Sequence, residues 1–186
     1  MGATLLVSEQ FIKDQTQLSK NVDPNYIFEA ALWAQDSEIQ FVLGSTLYAK
    51  LKSDVDAGTL AGDYKTLVDN YIQICMKHYV LAGTLHMAHY KITNKGVQVQ
   101  DSENSQPTSR SMVDFLVEQE TQKAEFYRQR MIDYLCENSI LFPEYQNPGA
   151  GVDVIIPSND NYTTSFYLGG SHPKRDYYAW ERTRKS

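Results

Sequence analysis

Only two cysteines, Cys75 and Cys136, occur among the 186 residues, too few for a disulfide-stapled secreted fold. Both fall inside helical patterns, where each is read as a small buried hydrophobe in a protein made in a reducing cytoplasm. No apolar stretch approaches the ~20 residues that a bilayer crossing needs. The first residues hold no basic region leading into an apolar one, so no secretory signal is expected. No glycine-rich loop opens a helix in the way phosphate binding requires. No Gly-x-Ser-x-Gly is present and no cysteine has a marked histidine partner, which leaves nucleophilic catalysis without a motif. Carboxylates abound, but Glu118, Glu120 and Glu125 lie on the polar side of a helical pattern and are read as a solvated face. No catalytic residue and no enzymatic activity are expected.

What the chain has in surplus is tyrosine, 13 of them, beside 7 Phe and 2 Trp. A tyrosine joins an apolar ring to a polar tip, so this surplus fits extensive contact surface as well as it fits compositional drift. The net charge of −6 is unevenly placed. Residues 172–186 carry five Lys/Arg against two Asp/Glu, while residues 1–171 are strongly acidic. An acidic body argues against a general nucleic-acid binder; the basic end suits an acidic partner.

The chain organises around one long helical pattern at 63–90. Asp63 stands at its start as an N-cap after Gly62. Tyr64, Leu67, Val68, Tyr71, Ile72, Cys75, Tyr79, Ala82, Leu85 and Ala88 recur at three- and four-residue steps, the spacing of one helix face. A helix of that length runs about 42 Å. Gly83, its one interior glycine, marks either close packing or a slight bend. Upstream, residues 5–11 form a short mixed stretch and 10–21 read as loop. Asp23-Pro24 is a helix start, an N-cap followed by proline at the first helical position. Ile27, Phe28, Ala31, Leu32, Ala34, Ile39 and Val42 then form a stripe ending at Gly44, and Ala30, Ala31 and Ala34 permit a close approach by the long helix. Ser45 caps a shorter helix lined by Leu47, Tyr48 and Leu51, which fades over 54–58.

After Tyr90 the texture changes. Thr93-Asn94-Lys95-Gly96 is a turn signature, and residues 97–100 alternate with period two, an extended excursion spanning 91–110. A Ser111 cap opens a further helix at 112–138, with Phe115, Leu116, Phe126, Met131, Tyr134 and Leu135 apolar and its middle exposed. Residues 141–145 end the helical part. From Asn147 an extended arm is expected, with short strands at 152–156 and 162–168 and a basic, aromatic end. The fold class is therefore mainly α: an antiparallel helical bundle around one long helix, comprising a body at 1–146 with a short β excursion, then an extended arm at 147–186.

Two constellations invite a site. Cys75, His78, His86 and His89 carry ligand types suited to zinc, but His78 and His86 stand about 12 Å apart along one helix and cannot share an ion. No metal and no cofactor are expected, and the histidines are read as packing or interface residues. The arm offers Val152, Val154, Ile156, Tyr162, Phe166 and Tyr167, apolar positions that need covering. Beyond them come Lys174, Arg175, Tyr177, Tyr178, Trp180 and Arg182, of the types favoured at partner-binding hot spots. The same basic and aromatic residues would serve a small nucleic-acid-binding protein through charge and stacking, the competing reading. In the excursion, Asn94, Lys95, Gly96, Val97 and Val99 are the candidates for contact between subunits.

The order of elements, together with particular wording, resembles the head–tail connector (adaptor or ring) proteins of tailed bacteriophages, most closely those of Bacteroides-infecting crAss-like phages. The matching stretches include Asn21-Val22-Asp23 with Ala34-Gln35-Asp36, Leu43-Gly44-Ser45 with Leu47-Tyr48, and Ala57-Gly58-Thr59-Leu60 with Asp63-Tyr64-Lys65-Thr66-Leu67. Downstream come Thr93-Asn94-Lys95-Gly96-Val97, Ala124-Glu125-Phe126-Tyr127, Tyr134-Leu135-Cys136-Glu137-Asn138 and Phe142-Pro143-Glu144-Tyr145. They span about residues 20–146 and leave the arm outside. The resemblance implies a structural virion protein at the head–tail junction, assembled from the host cytoplasm. It implies a ring, usually of twelve copies, docked under the portal protein and against tail or second ring proteins. Genomic DNA would pass through its lumen without sequence-specific contact, and no membrane would be involved.

Overall fold

A computed structural model describes residues 3–94, 96–99 and 109–157. Ser8 opens the first helix, α1 (Glu9–Gln15), by accepting the Phe11 N–H on its hydroxyl at 3.1 Å. Residues 10–15 are therefore helix where a loop was expected; Ile12, fully buried, supplies the packing that makes so short a helix stand. The second helix, α2 (Pro24–Ala34), starts as its Asp-Pro signature requires, with Asp23 Oδ1 taking the Asn25 N–H at 2.9 Å. It runs without interruption through a π-helical turn, Gln35–Ile39, into α3 (Gln40–Asp56). Inside α3 the path breaks at Gly44, whose φ of 75° and ψ of 161° are open to glycine and strained for other residues. Gly58, with φ 66°, closes the end of α3 by donating its N–H to Val55 O.

The long helix is continuous over 62–89 and is built from α4 (Gly62–Leu67), a second π-helical turn (Val68–Ile72) and α5 (Gln73–His89). It starts one residue earlier than Asp63: Ala61 is the extended cap residue and no side chain caps the end. Tyr90 is not its last residue but the first of β1 (Tyr90–Thr93), which pairs antiparallel with β2 (Gly96–Val99) across a two-residue turn. The excursion thus begins as a hairpin in which both strands are formed, Ile92 facing Val97 and Tyr90 facing Val99 in register. The next helix, α6 (Arg110–Glu137), opens at Ser109, two residues before the expected Ser111. A 3-10 turn (Ser139–Leu141) and the short α7 (Pro143–Gln146) fold back and bury Phe142 and Tyr145.

The long helix is the middle layer. α2 packs on one part of its surface and α6 on another, which is why its burial exceeds a single stripe. Met76, Val80 and Thr84 are as buried as Leu67, Ile72 and Cys75, while Ala88 is exposed. Gly83 marks close packing: a Cβ there would stand 3.1 Å from Ala30 Cβ. On the α6 side, Ala124 is fully buried and its carbonyl lies 3.5 Å from Cys75 Sγ. The middle of α6 is therefore not simply exposed. Glu120 meets His78 and is half-buried, while Glu125 accepts the Tyr79 hydroxyl at 2.6 Å from an exposed position; Glu118 and Glu125 keep the solvated role expected of all three. Conversely, Phe115, Leu116 and Phe126 of α6 and Phe28 of α2 were expected in apolar faces and are exposed.

The amino-terminal segment is tied in by two glutamines. Gln35, in the first π turn and fully buried, accepts Leu6 N–H at 2.8 Å and donates to Thr4 O at 3.1 Å. Gln73, just after the second, donates to Leu6 O at 3.3 Å. Gln35 also donates to the Tyr48 hydroxyl at 2.9 Å, and that hydroxyl donates to Asp36. The side chains take the place of a neighbouring strand and satisfy the backbone groups of Thr4 and Leu6, whose neighbour Val7 is buried with Leu6 in the core.

The tyrosines serve these seams. Tyr64 donates to Glu144 at 2.7 Å and stands edge-on to Phe142, and Tyr71 stacks on Tyr134 at 4.1 Å. Among the described residues, much of the tyrosine surplus is thus spent inside the protein. Burial, reinforced by the Glu144 carboxylate, pushes the Tyr64 phenol from its ordinary 10.0 up to about 12. Burial and a carboxylate likewise raise Tyr48 and Tyr79.

Two predictions follow from this packing. Gly83→Val is expected to lower stability by about 1–3 kcal/mol through overpacking against Ala30, whereas Gly83→Ala stays near neutral because a helix-propensity gain of up to ~1 kcal/mol offsets a tight contact; urea denaturation measures both. Between pH 10 and 12 the folded state holds the Tyr64 proton that the unfolded chain releases. Stability is therefore complete below pH 10 and falls as pH rises toward 12. In denaturation series at pH 9 to 12, Tyr64→Phe should flatten this fall.

Candidate interaction site

Of the arm candidates, Val152, Val154 and Ile156 lie in the described residues, and they form no strand. The reason is at Gly44 and Ser45. Ser45 N–H donates to Ile155 O at 3.0 Å, and Ile155 N–H donates to the Ser45 hydroxyl at 2.9 Å. Ser45 was expected to cap a helix; its hydroxyl instead holds the arm, and one residue of α3 takes the place of a pairing strand. Gly44 leaves the space beside it for Pro157, which is buried. A Cβ on Gly44 would stand 2.7 Å from Pro157 Cγ. The start of the arm is thus seated in a notch made by the break in α3. Val154 is half-buried, while Val152 and Ile156 are 102% and 72% exposed.

Tyr162, Phe166, Tyr167, Lys174, Arg175, Tyr177, Tyr178, Trp180 and Arg182 lie outside the described residues, and so does Lys95. Asn94 and Gly96 are exposed at the turn of the hairpin, whose second strand contains Val97 and Val99. The described parts of the two predicted contact regions adjoin different elements: the hairpin follows α5, and the start of the arm lies at the break in α3.

Two exposed aromatic faces escaped the sequence reading. On the outer side of α2 and α3, Trp33 is 73% and Phe41 50% exposed. They sit eight residues apart with Ser37 between them, a signal at helical spacing that the better-filled inner stripe obscured. On α6, Met112, Phe115, Gln119, Gln122 and Phe126 follow a 3-4-3-4 spacing and all are exposed. That is the spacing of a helix seam turned outward. Beside its end opens a groove of about 500 Å³ lined by His78, Gln119, Gln122, Lys123, Phe126 and Tyr127. The His78 and Tyr127 rings stack nearly parallel at 5.3 Å, and the Arg130 guanidinium lies over the Tyr127 ring at 5.7 Å.

The electrostatics of the groove are those of a held ion pair. His78 Nδ1 lies 2.8 Å from Glu120 Oε2, and Lys123 bonds the other oxygen. Burial alone would raise the Glu120 carboxyl, but the hydrogen bonds from Lys123 and His78 outweigh it and hold it below the usual range. Burial pushes the Cys75 thiol up to about 12, so it stays protonated at neutral pH. Cys75, His78, His86 and His89 do not converge: Cys75 is buried, His78 is engaged with Glu120, His86 is exposed, and His89 packs edge-on to Tyr90. Among the described residues, no three His, Cys, Asp or Glu side chains are grouped to hold a metal ion. No helix among them is long and apolar enough to cross a membrane.

A family model matches residues 39–154, well over half of the chain. The chain belongs to the DUF6712 family. That family is one of unknown function, and no curated protein and no solved structure matches the chain. The DUF6712 region takes in the break at Gly44, the long helix, the hairpin and all of α6. It stops at Val154, next to the residue that Ser45 holds.

Alanine at Gly44 should expel the arm from its notch. Limited proteolysis of Gly44→Ala is expected to cut within 149–157 at least about tenfold faster than in the parent, with Ser45→Ala intermediate. Equal cleavage rates in all three would show the notch to be unimportant for seating the arm.

Proposed function

We propose that this chain is a structural ring subunit of a phage virion, a head–tail connector docked under the portal. In this reading it joins capsid to tail, surrounds part of the DNA channel and does no chemistry. The observation that carries it is the pair of unlike exposed faces, the Trp33–Phe41 side of α2 and α3 and the outward seam of α6. A subunit in a closed ring presents one surface to the copy on its left and a different one to the copy on its right. A monomer would gain nothing from such aromatic exposure.

Other features support the same reading. A rigid body results from a long helix gripped on two sides, and it can hold fixed angles between neighbours. The hairpin at 90–99 continues beyond the end of the long helix. The acidic balance of residues 1–171 would let DNA slide past without tight phosphate contacts. Twelve copies, a portal partner and a tail-side ring partner come with the resemblance.

Electron microscopy of purified virions, with density at the portal vertex traced to side chains, tests this function. The expected result is a ring in which the 62–89 helix and the α6 side chains fit the map. A portal vertex built without this chain would refute the proposal.

A further inference from the structure

We infer that the groove at the α5–α6 seam is the seat for the Trp33 face of a second copy of this chain, so that the two exposed aromatic faces are the two halves of one head-to-tail contact. The inference rests on the ring reading and names the surfaces that would close it. Trp33 is the most exposed aromatic among the described residues at 73%, and it stands on a helix that packs on the long helix at Gly83. The groove lies across α5, at the junction with α6. α2 and α6 each pack on the long helix and meet one another marginally at most. Knob and groove therefore belong to different faces, and one copy offers each to a different neighbour.

Size, stacking and charge agree. About 500 Å³ of open groove accommodates a bulky aromatic side chain with room for a polar rim. Its floor is already a ring stack, His78 on Tyr127, and Phe126 stands beside it 62% exposed. An indole entering there would find aromatic surface below and Gln122 within the lining as a polar partner for its N–H. The groove side carries Lys123, paired to Glu120 with its own side chain 52% exposed, and Arg130, exposed over Tyr127. The Trp33 side is their complement. Residues 21–49 contain Asp23, Glu29, Asp36 and Glu38 and no Lys or Arg at all. Two copies meeting knob to groove thus bring an acidic helix face towards Arg130 and Lys123, while two acidic Trp33 faces would repel.

The test uses the full chain with Glu29→Cys and Gln119→Cys in a Cys136→Ser background, which leaves Trp33 and Phe126 in place and Cys75 buried. Glu29 and Gln119 are both exposed, so circular dichroism should match the parent. Treated with a short bis-maleimide at high concentration, the double-cysteine chain is expected to give a ladder of covalent oligomers on a denaturing gel. Each single-cysteine chain should stay monomeric, because neither face meets itself. Adding Trp33→Ala should reduce the cross-linked fraction about tenfold or more. A double-cysteine chain that remains monomeric overturns the inference, as do single-cysteine chains that dimerise equally well or a ladder that ignores Trp33→Ala. A ladder from a chain absent from the portal vertex would defeat the ring function alone; a vertex ring without the ladder would defeat this contact alone.

Discussion

The close approach of α2 to the long helix at Ala30 and Gly83 governs the rest of the structure. Helices separated by ordinary side chains sit about 8–10 Å apart, and a glycine facing an alanine brings them to the short end. With α2 held there, the π turn that continues it sets Gln35 inside the protein, where its amide can reach Thr4 and Leu6. The same continuation carries Leu43, Leu47 and Leu51 of α3 into the core and fixes where the break at Gly44 falls. The arm then has a notch to enter. A change at one small residue on α5 would therefore be felt at the amino terminus and at the arm, although neither touches it directly.

The second grip, by α6, is of another kind. Cys75 against the Ala124 carbonyl, His78 against Glu120 and Tyr79 against Glu125 form a ladder of small and polar contacts, not an oily seam. Such contacts specify register, because a slip of one residue would part the half-buried imidazole of His78 from its carboxylate. The apolar residues of α6 are consequently divided. Val113, Ala124, Met131, Ile132 and Leu135 face the protein, and Met112, Phe115, Leu116 and Phe126 point away from it. One helix thus carries a packing face and an outward face along its whole length.

Much of this was legible in the residues. The Asp23-Pro24 start, the long helical pattern, the small residues of α2 and the turn at Asn94 each have a local physical cause, and each was read from that cause. What was not legible depended on contacts distant in the chain. Ser45 looks like a cap, because the sequence does not show that Ile155 lies beside it 110 residues later. Glu120 looks solvated, because nothing local announces His78 opposite it. Phe115 and Phe126 look buried, because helical spacing tells which residues share a face but not which way that face turns. The two π turns escaped for the same reason: one extra residue per turn shifts a stripe without interrupting it, and only the packing on both sides selects it.

That last ambiguity bears on function. A helical stripe of apolar residues is equally a core face or an interface, and hydrophobicity does not separate them. What separates them is whether the molecule has already filled the space in front. For α5 the space is filled on two sides, by Ala30 and by Ala124, and no further helix can be accommodated there. For the outer face of α2 and the outer seam of α6 nothing in the described residues fills it, and the two faces differ in charge. One exposed aromatic face gives a contact no direction. Two unlike faces, carried by α2 and α6 where each packs on the long helix, make a directional element, and directionality is the property that a ring requires and a dimer does not.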